Sequence, residues 1–450
     1  MSNAVEFTPG AFGDDPWTTA ISQMHRAGAA WVVAVTGGGS GGIGRLLAVP
    51  GGSASTLEAI VPYSAESLRS FLGRAPEQAC SAATALALAA TAWRRAGQLL
   101  ASAPPTAPAG LVPAVTPGKP VPSAGFSSSA PLSGAAAGLA SQPSTSSPTP
   151  QAAARWPVGV GCTAALVSDR PKRGEHRCHV AVHSAFGTRL VSLTLSKGAR
   201  TRAEEEQVVA DTWLRLLAAE VRVEPPPHPG WLPEDRQESR WQLCDADLRD
   251  LYQGRAPVTW RAPTQQGGDR FDPARVVGIL PGSFNPVHVG HQQLRRVAER
   301  VLGGPVAWEI SVLNVDKPPL DALTLADRCA SLGDAPVALT GVARFVDKAR
   351  ILPGRTFVVG ADTAERIVSP KYYGADVAAL RQALTSIREQ GCRFLVAGRL
   401  AGTEFQELSD LSIPPEFADL FQSLPETLFR SDLSSTQIRQ AQAGESGTEG

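Results

Sequence analysis

The chain has no net charge: 42 Lys and Arg balance 42 Asp and Glu over 450 residues. No global field therefore draws it to nucleic acid or to an anionic membrane, and any phosphate binding has to be local. Closely spaced cysteines are missing too. The six cysteines, Cys80, Cys162, Cys178, Cys244, Cys329 and Cys392, contain no C-x-x-C, which argues against a disulfide framework and for reduced thiols in a cytoplasmic protein. Met1 to Pro16 lacks a basic segment followed by an apolar core, and no apolar run has membrane-spanning length, so neither a signal peptide nor a membrane anchor is expected. Histidine is scarce, at seven residues. Any histidine cluster is correspondingly informative.

Two of the seven stand in Gly282-Ser283-Phe284-Asn285-Pro286-Val287-His288-Val289-Gly290-His291. The apolar, β-branched run Val276 to Leu280 before it predicts a buried strand, and Gln292 to Leu302 after it has helical spacing. The string is thus a strand-to-helix turn. Gly282 permits close approach of backbone to a ligand, Pro286 pins the turn, and Gly290 leaves space where unpaired helix N–H groups and the positive dipole end face outward. His288 and His291 converge there on one anionic group. The bland alternative is a turn whose histidines only cap and pack; the strand-turn-helix context favours phosphate chemistry.

This string resembles the GxFxPxHxGH signature of the HxGH nucleotidylyltransferase superfamily, and Ser434-Ser435-Thr436-Gln437-Ile438-Arg439 resembles the SSTxIR motif of its nicotinamide and nicotinate mononucleotide adenylyltransferases. The resemblance implies catalytic roles for His288, His291 and Arg439. It implies nucleotide contacts from Gly282, Ser283, Phe284, Asn285, Gly290, Ser434, Ser435 and Thr436. Phe357-Val358-Val359 runs into Gly360-Ala361-Asp362, which in these enzymes meets ribose, with Tyr372 and Tyr373 as candidates to face a pyridine ring. Asp362 is alternatively the N-cap of the next helix. Lys317, in the proline-stiffened loop Asn314 to Leu320, is either a triphosphate contact or a solvated surface charge. The implied reaction is attack by a mononucleotide phosphate on ATP, with Mg²⁺ accompanying the nucleotide and pyrophosphate released. No dedicated metal site is expected. Cytidylyl transfer, or a pantetheine-phosphate acceptor, is the alternative within the superfamily, and a non-catalytic nucleotide-binding scaffold is a third reading.

Organisation follows from composition. Residues 102–154 are Ala, Pro, Ser, Gly and Thr with hardly a charge; they cannot bury enough apolar surface to fold, and as a flexible coil their ends would lie on the order of 40 Å apart. Flanking them is an N-terminal unit, 16–222, after a disordered 1–15. Residues 223–274, rich in proline, form a connector whose Trp231 and Trp241 are expected to seek burial. Strand-helix alternation over 275–442 predicts a Rossmann-like, doubly wound parallel α/β sheet, followed by a frayed tail at 443–450. On such a sheet the motif segments all follow strands and share the carboxyl-end edge.

In the N-terminal unit, Ala29 to Val35 predicts a buried strand leading into Thr36-Gly37-Gly38-Gly39-Ser40-Gly41-Gly42-Ile43-Gly44. Gly39, Gly41 and Gly44 fit GxGxxG with Glu58 as the ribose acid, a cheap match in so glycine-rich a loop. Val35 to Gly38, Val49 to Ser53, Tyr63-Ser64, Leu72-Gly73 and Val158 to Val182 resemble the C-terminal domain of CinA proteins, a family that includes nicotinamide mononucleotide deamidases. The resemblance implies an α/β domain and a possible homo-oligomer through it. Where the family has its serine this chain has Ala34, and where it has its lysine, Leu68. A non-hydrolytic domain is therefore expected, with Ser40 as a displaced nucleophile the alternative. His176, Cys178, His179 and His183 form a further cluster, either zinc ligands or side chains that a strand points apart.

Overall fold

The computed structural model describes residues 15–102, 155–169, 173–227, 230–262, 271–313, 317–401 and 404–430. The low-complexity segment beyond Ser102 and both chain ends lie outside them.

The first unit begins with α1 (Trp17–Arg26), β1 (Ala29–Thr36), α2 (Gly41–Ala48), β2 (Thr56–Ile60), α3 (Ala65–Leu72) and α4 (Ala82–Ser102). It continues with β3 (Trp156–Ala165), β4 (His176–Ser184), β5 (Gly187–Leu195) and α5 (Arg202–Glu220). β1 is buried along its whole length because it is central: it pairs in parallel with β2 and β3. β3, β4 and β5 then continue antiparallel. The long helix α4 lies across this sheet, and β3 makes room for it with Gly159 and Gly161. A Cβ on Gly161 would stand 2.3 Å from the Ala85 carbonyl oxygen.

The connector is ordered by strand pairing. β6 (Arg236–Leu243) closes the first sheet beside β5, α6 (Ala246–Tyr252) follows with Asp245 as its N-cap, and β7 (Val258–Arg261) joins the second sheet. Burial of its tryptophans is not what orders it: Trp231 is 39% and Trp241 63% exposed. Strand β6 lies at the edge with both faces largely exposed, so backbone pairing replaces the apolar anchoring that the two indoles suggested.

The second unit runs β8 (Gly278–Pro281), α7 (Val289–Leu302), β9 (Val306–Ser311), α8 (Ala322–Ser331), β10 (Val337–Thr340), α9 (Phe345–Ile351) and β11 (Thr356–Gly360). Then come α10 (Ala361–Val368), α11 (Val377–Glu389), β12 (Arg393–Ala397), β13 (Arg399–Ala401), β14 (Glu404–Gln406) and β15 (Phe421–Leu424). Its sheet has the order β15-β12-β11-β8-β9-β10-β7, parallel throughout except for β7. The chain winds outward from β8 in one direction and returns to β11 on its other side. This is the doubly wound α/β arrangement, and its switch point lies between β8 and β11, where ligands bind at strand carboxyl ends.

Two apolar clusters span the two units. Trp93 of α4, Ala185 and Tyr252 pack into the same cluster as Leu294, Trp308 and Leu325, while Ala85, Leu86 and Leu190 meet Leu323. Polar contacts pin the seam: the Ala322 N–H donates to Thr188 Oγ1 at 2.9 Å and the Tyr252 hydroxyl to the Leu320 carbonyl at 2.6 Å. Among the described residues no helix is long and apolar enough to cross a membrane.

Candidate active site

The turn after β8 is built on Phe284. Its ring is 3% exposed and packs edge-on against Trp308 at 4.8 Å and His291 at 5.3 Å. To reach there the backbone takes φ +43°, a left-handed conformation that side chains with a Cβ seldom adopt. A Cβ on Gly282 would lie 2.6 Å from the ring. Gly282 thus serves the fold-back of Phe284, and Phe284, expected as a nucleotide contact, is buried against His291.

His288 is the N-cap of α7, and His291 is its third helical residue. The His288 backbone N–H donates to His291 Nδ1 at 3.3 Å. With Nδ1 accepting, neutral His291 carries its proton on Nε2. The two rings stack with centroids 3.7 Å apart and an interplanar angle of 27°. Burial, then the neighbouring His288, push His291 down to about 4; burial lowers His288 as well. At neutral pH the pair is uncharged, so it offers N–H donors beside the positive end of a helix.

A cation near this turn comes from elsewhere. Arg328 of α8 donates from Nη1 to the Ser283 carbonyl at 3.0 Å, and its Nε is buried without a hydrogen-bond partner among the described residues. Burial lowers its pKa, opposed by Asp321. Sequence reasoning missed Arg328, since its contact spans 45 residues and no local pattern marks it.

The other expected residues take varied places. Ser283 and Asn285 are exposed, and Gly290 is buried at the helix start. Lys317 is exposed, and its carbonyl receives Arg94 Nη1 at 2.9 Å; residues 314–316 of its loop are outside the described residues. Gly360 ends β11 and is itself the N-cap of α10. The N-cap reading of Asp362 is therefore corrected: it lies inside the first turn, and its carboxylate pairs with Arg399 at 3.0 Å. Tyr372 and Tyr373 line a cavity beyond the ends of β9 and β10. Ser434, Ser435, Thr436 and Arg439 lie outside the described residues.

The N-terminal glycine loop is filled by protein. Trp213 of α5 donates from its indole to the Gly39 carbonyl at 2.8 Å, and a Cβ on Gly42 would lie 2.3 Å from that indole. Ser40 donates from Oγ to Glu206 at 2.9 Å, and Glu58 pairs with Arg95 at 2.9 Å. Packing thus explains Gly39 and Gly42, whereas a Cβ on Gly41 or Gly44 would meet nothing within 4 Å. Nδ1 of His176 meets Glu205 at 2.7 Å, that of His179 meets Ser192 at 2.8 Å, and that of His183 meets Thr188 at 2.8 Å. The strand disperses the cluster, and among the described residues no group of three His, Cys, Asp or Glu is placed to hold a metal.

Residues 279–441 match the family model of the cytidylyltransferase-like domain. The C-terminal unit thus carries a domain of nucleotidyltransferase type. No curated protein matches the chain.

Proposed function

We propose that the C-terminal unit transfers AMP from ATP to the phosphate of a mononucleotide, with nicotinamide or nicotinate mononucleotide as acceptor. An acceptor phosphate oxygen forms a bond to the α-phosphorus while the bond to the β-phosphate oxygen breaks, and pyrophosphate leaves. The observation that carries this reading is the stacked His288–His291 pair at the start of α7, at the carboxyl end of β8 and inside the span that matches the family model. Neutral N–H donors and helix N–H groups fixed in advance can receive the charge that builds on the transferring phosphoryl group, so positioning and electrostatics suffice. Arg439 and Ser434 to Thr436 would complete the nucleotide contacts, and Gly360 and Asp362 the ribose contact. Mg²⁺ supplies charge neutralisation when bound. The donor set fits its delivery on the nucleotide's own phosphates, with few protein ligands, and not a protein cage.

The N-terminal unit is read as non-hydrolytic, because Ala34 is sealed inside β1 and Leu68 inside the packing of α3, where neither activates a nucleophile. It remains a candidate surface for self-association.

The test is incubation with Mg²⁺ and ATP or CTP against pyridine mononucleotides and other phosphoesters, scored by pyrophosphate and product mass. NAD or its acid analogue should form with ATP. His291→Ala should cut turnover by roughly 100-fold to 1,000-fold; undiminished pyrophosphate release would sink the mechanism, and ammonia release from nicotinamide mononucleotide would overturn the non-hydrolytic reading.

A further inference from the structure

Between the two units lies a cavity of about 1230 Å³, ample for a mononucleotide. One wall is the second unit: the segment after β10, including Arg344 and Phe345, with Arg366 of α10 and Tyr373. The other wall belongs to the N-terminal unit, where α4 presents Thr91, Arg94 and Arg95. The second-unit wall follows the carboxyl ends of β9, β10 and β11, the same sheet edge that carries His288 and His291.

Two observations mark this as a ligand site. Thr91 is 5% exposed, and its Oγ1 is buried without a hydrogen-bond partner among the described residues. A threonine inside a helix can satisfy its hydroxyl on the preceding turn; Thr91, on the cavity wall, does not. The lining is also cationic. It holds Arg94, Arg95, Arg344 and Arg366 against Glu58 and Asp347. Glu58 is engaged by Arg95 at 2.9 Å, and Asp347 by Arg344 at 2.8 Å and Arg350 at 3.0 Å. Arg366 has no carboxylate within ion-pair distance among the described residues, and Arg94 is oriented by the Lys317 carbonyl. Phe71, Phe345, Tyr372 and Tyr373 add aromatic surface.

We infer that α4 completes the acceptor pocket of the transferase unit, and that this composite site selects an aromatic acceptor bearing a second anionic group besides its reacting phosphate, namely a pyridine carboxylate mononucleotide. The inference rests on the nucleotidyl-transfer reading. An amide-bearing acceptor leaves the Arg366 guanidinium unanswered, whereas a carboxylate gives it a charge-assisted, bidentate partner.

The experiment is calorimetric titration of the intact chain with nicotinate mononucleotide and with nicotinamide mononucleotide. The acid should bind at least about tenfold more tightly, the worth of one charged hydrogen bond. Arg95→Ala and Arg366→Ala, both at exposed positions that leave the core untouched, should each weaken the acid by about tenfold or more and narrow the difference, with ATP binding unchanged. Thr91→Val, an isosteric change, should weaken both probes. Equal binding of the two probes, arginine variants that bind the acid as the wild type does, or a wild type that binds neither overturns the inference. Because binding is read without turnover, acid binding with no pyrophosphate release from either nucleotide would defeat the transferase reading and leave the composite site standing.

Discussion

His291 shows how one side chain is tuned by its neighbours. Phe284, itself packed on Trp308, meets the ring edge-on, His288 stacks on it, and burial pushes the imidazole pKa down to about 4. Its folded value lies below the unfolded value of 6.5, so the unfolded chain binds the proton more readily. The stability this ring contributes is complete above about pH 6.5 and is lost as pH falls through about 4. The catalytic counterpart is that a neutral donor is present throughout pH 6 to 8. An NMR titration of His291 should find a midpoint near 4, and pyrophosphate release should stay flat in this group from pH 8 to 6. A rate that climbs on acidification would mean that the imidazolium does the work. Gly282, His288 and His291 were legible in the sequence because the turn that unites them is local. Arg328, Arg94 and Thr91 were not, because only tertiary packing brings them into place, and the positive φ and the burial of Phe284 have no sequence signature.

At the scale of elements, apolar β-branched runs were what could be seen. Those that became β1 and β8 were evident, and so was the helical spacing that became α7, whereas the long helices α4 and α5 were not expected. The four-residue β10 and the seven-residue α9 are too short for periodicity to reveal. What fixes them is a buried ion pair between Glu309 of β9 and Lys348 of α9 at 2.7 Å, with the Thr340 hydroxyl of β10 donating to Glu309 at 2.5 Å. Helix α4 was not expected from the sequence, and its seat depends on Gly159 and Gly161 of β3, beyond the low-complexity segment. Replacing Gly161 with alanine puts a methyl 2.3 Å from the Ala85 carbonyl and 2.4 Å from the Ala89 nitrogen. Both obstacles are backbone, so the helix itself must shift. Gly161→Ala should cost about 1–3 kcal/mol in urea denaturation, and because α4 carries Arg94 and Arg95 it should also weaken acceptor binding while ATP binding persists. An unchanged unfolding midpoint would show that α4 is not held by this contact.

Over the whole molecule, strand pairing through residues 236–261 makes the two sheets continuous. Each sheet takes a strand from the connector, and the seam between the sheets is a triangle of rings: Trp93 and His183 at 5.1 Å, His183 and Tyr252 at 5.1 Å, and Trp93 and Tyr252 at 5.4 Å. His183 is sealed there, pushed down to about 3 by burial, so acid weakens the seam as it weakens the site. Trp93 lies in a cluster that joins the two units, and truncating a buried indole costs about 3–5 kcal/mol. Wild-type protein should melt in one calorimetric transition, since neither unit can open without exposing the shared cluster. Trp93→Ala should lower that transition and split it in two as each sheet unfolds by its own core. The functional consequence separates the two halves of the site. The turn that bears His288 and His291 belongs wholly to the second sheet and should keep its nucleotide, whereas the acceptor cavity exists only while α4 stays docked and should be lost. A Trp93→Ala protein that melts in one step and still binds the acceptor would mean that the units fold and function without the seam.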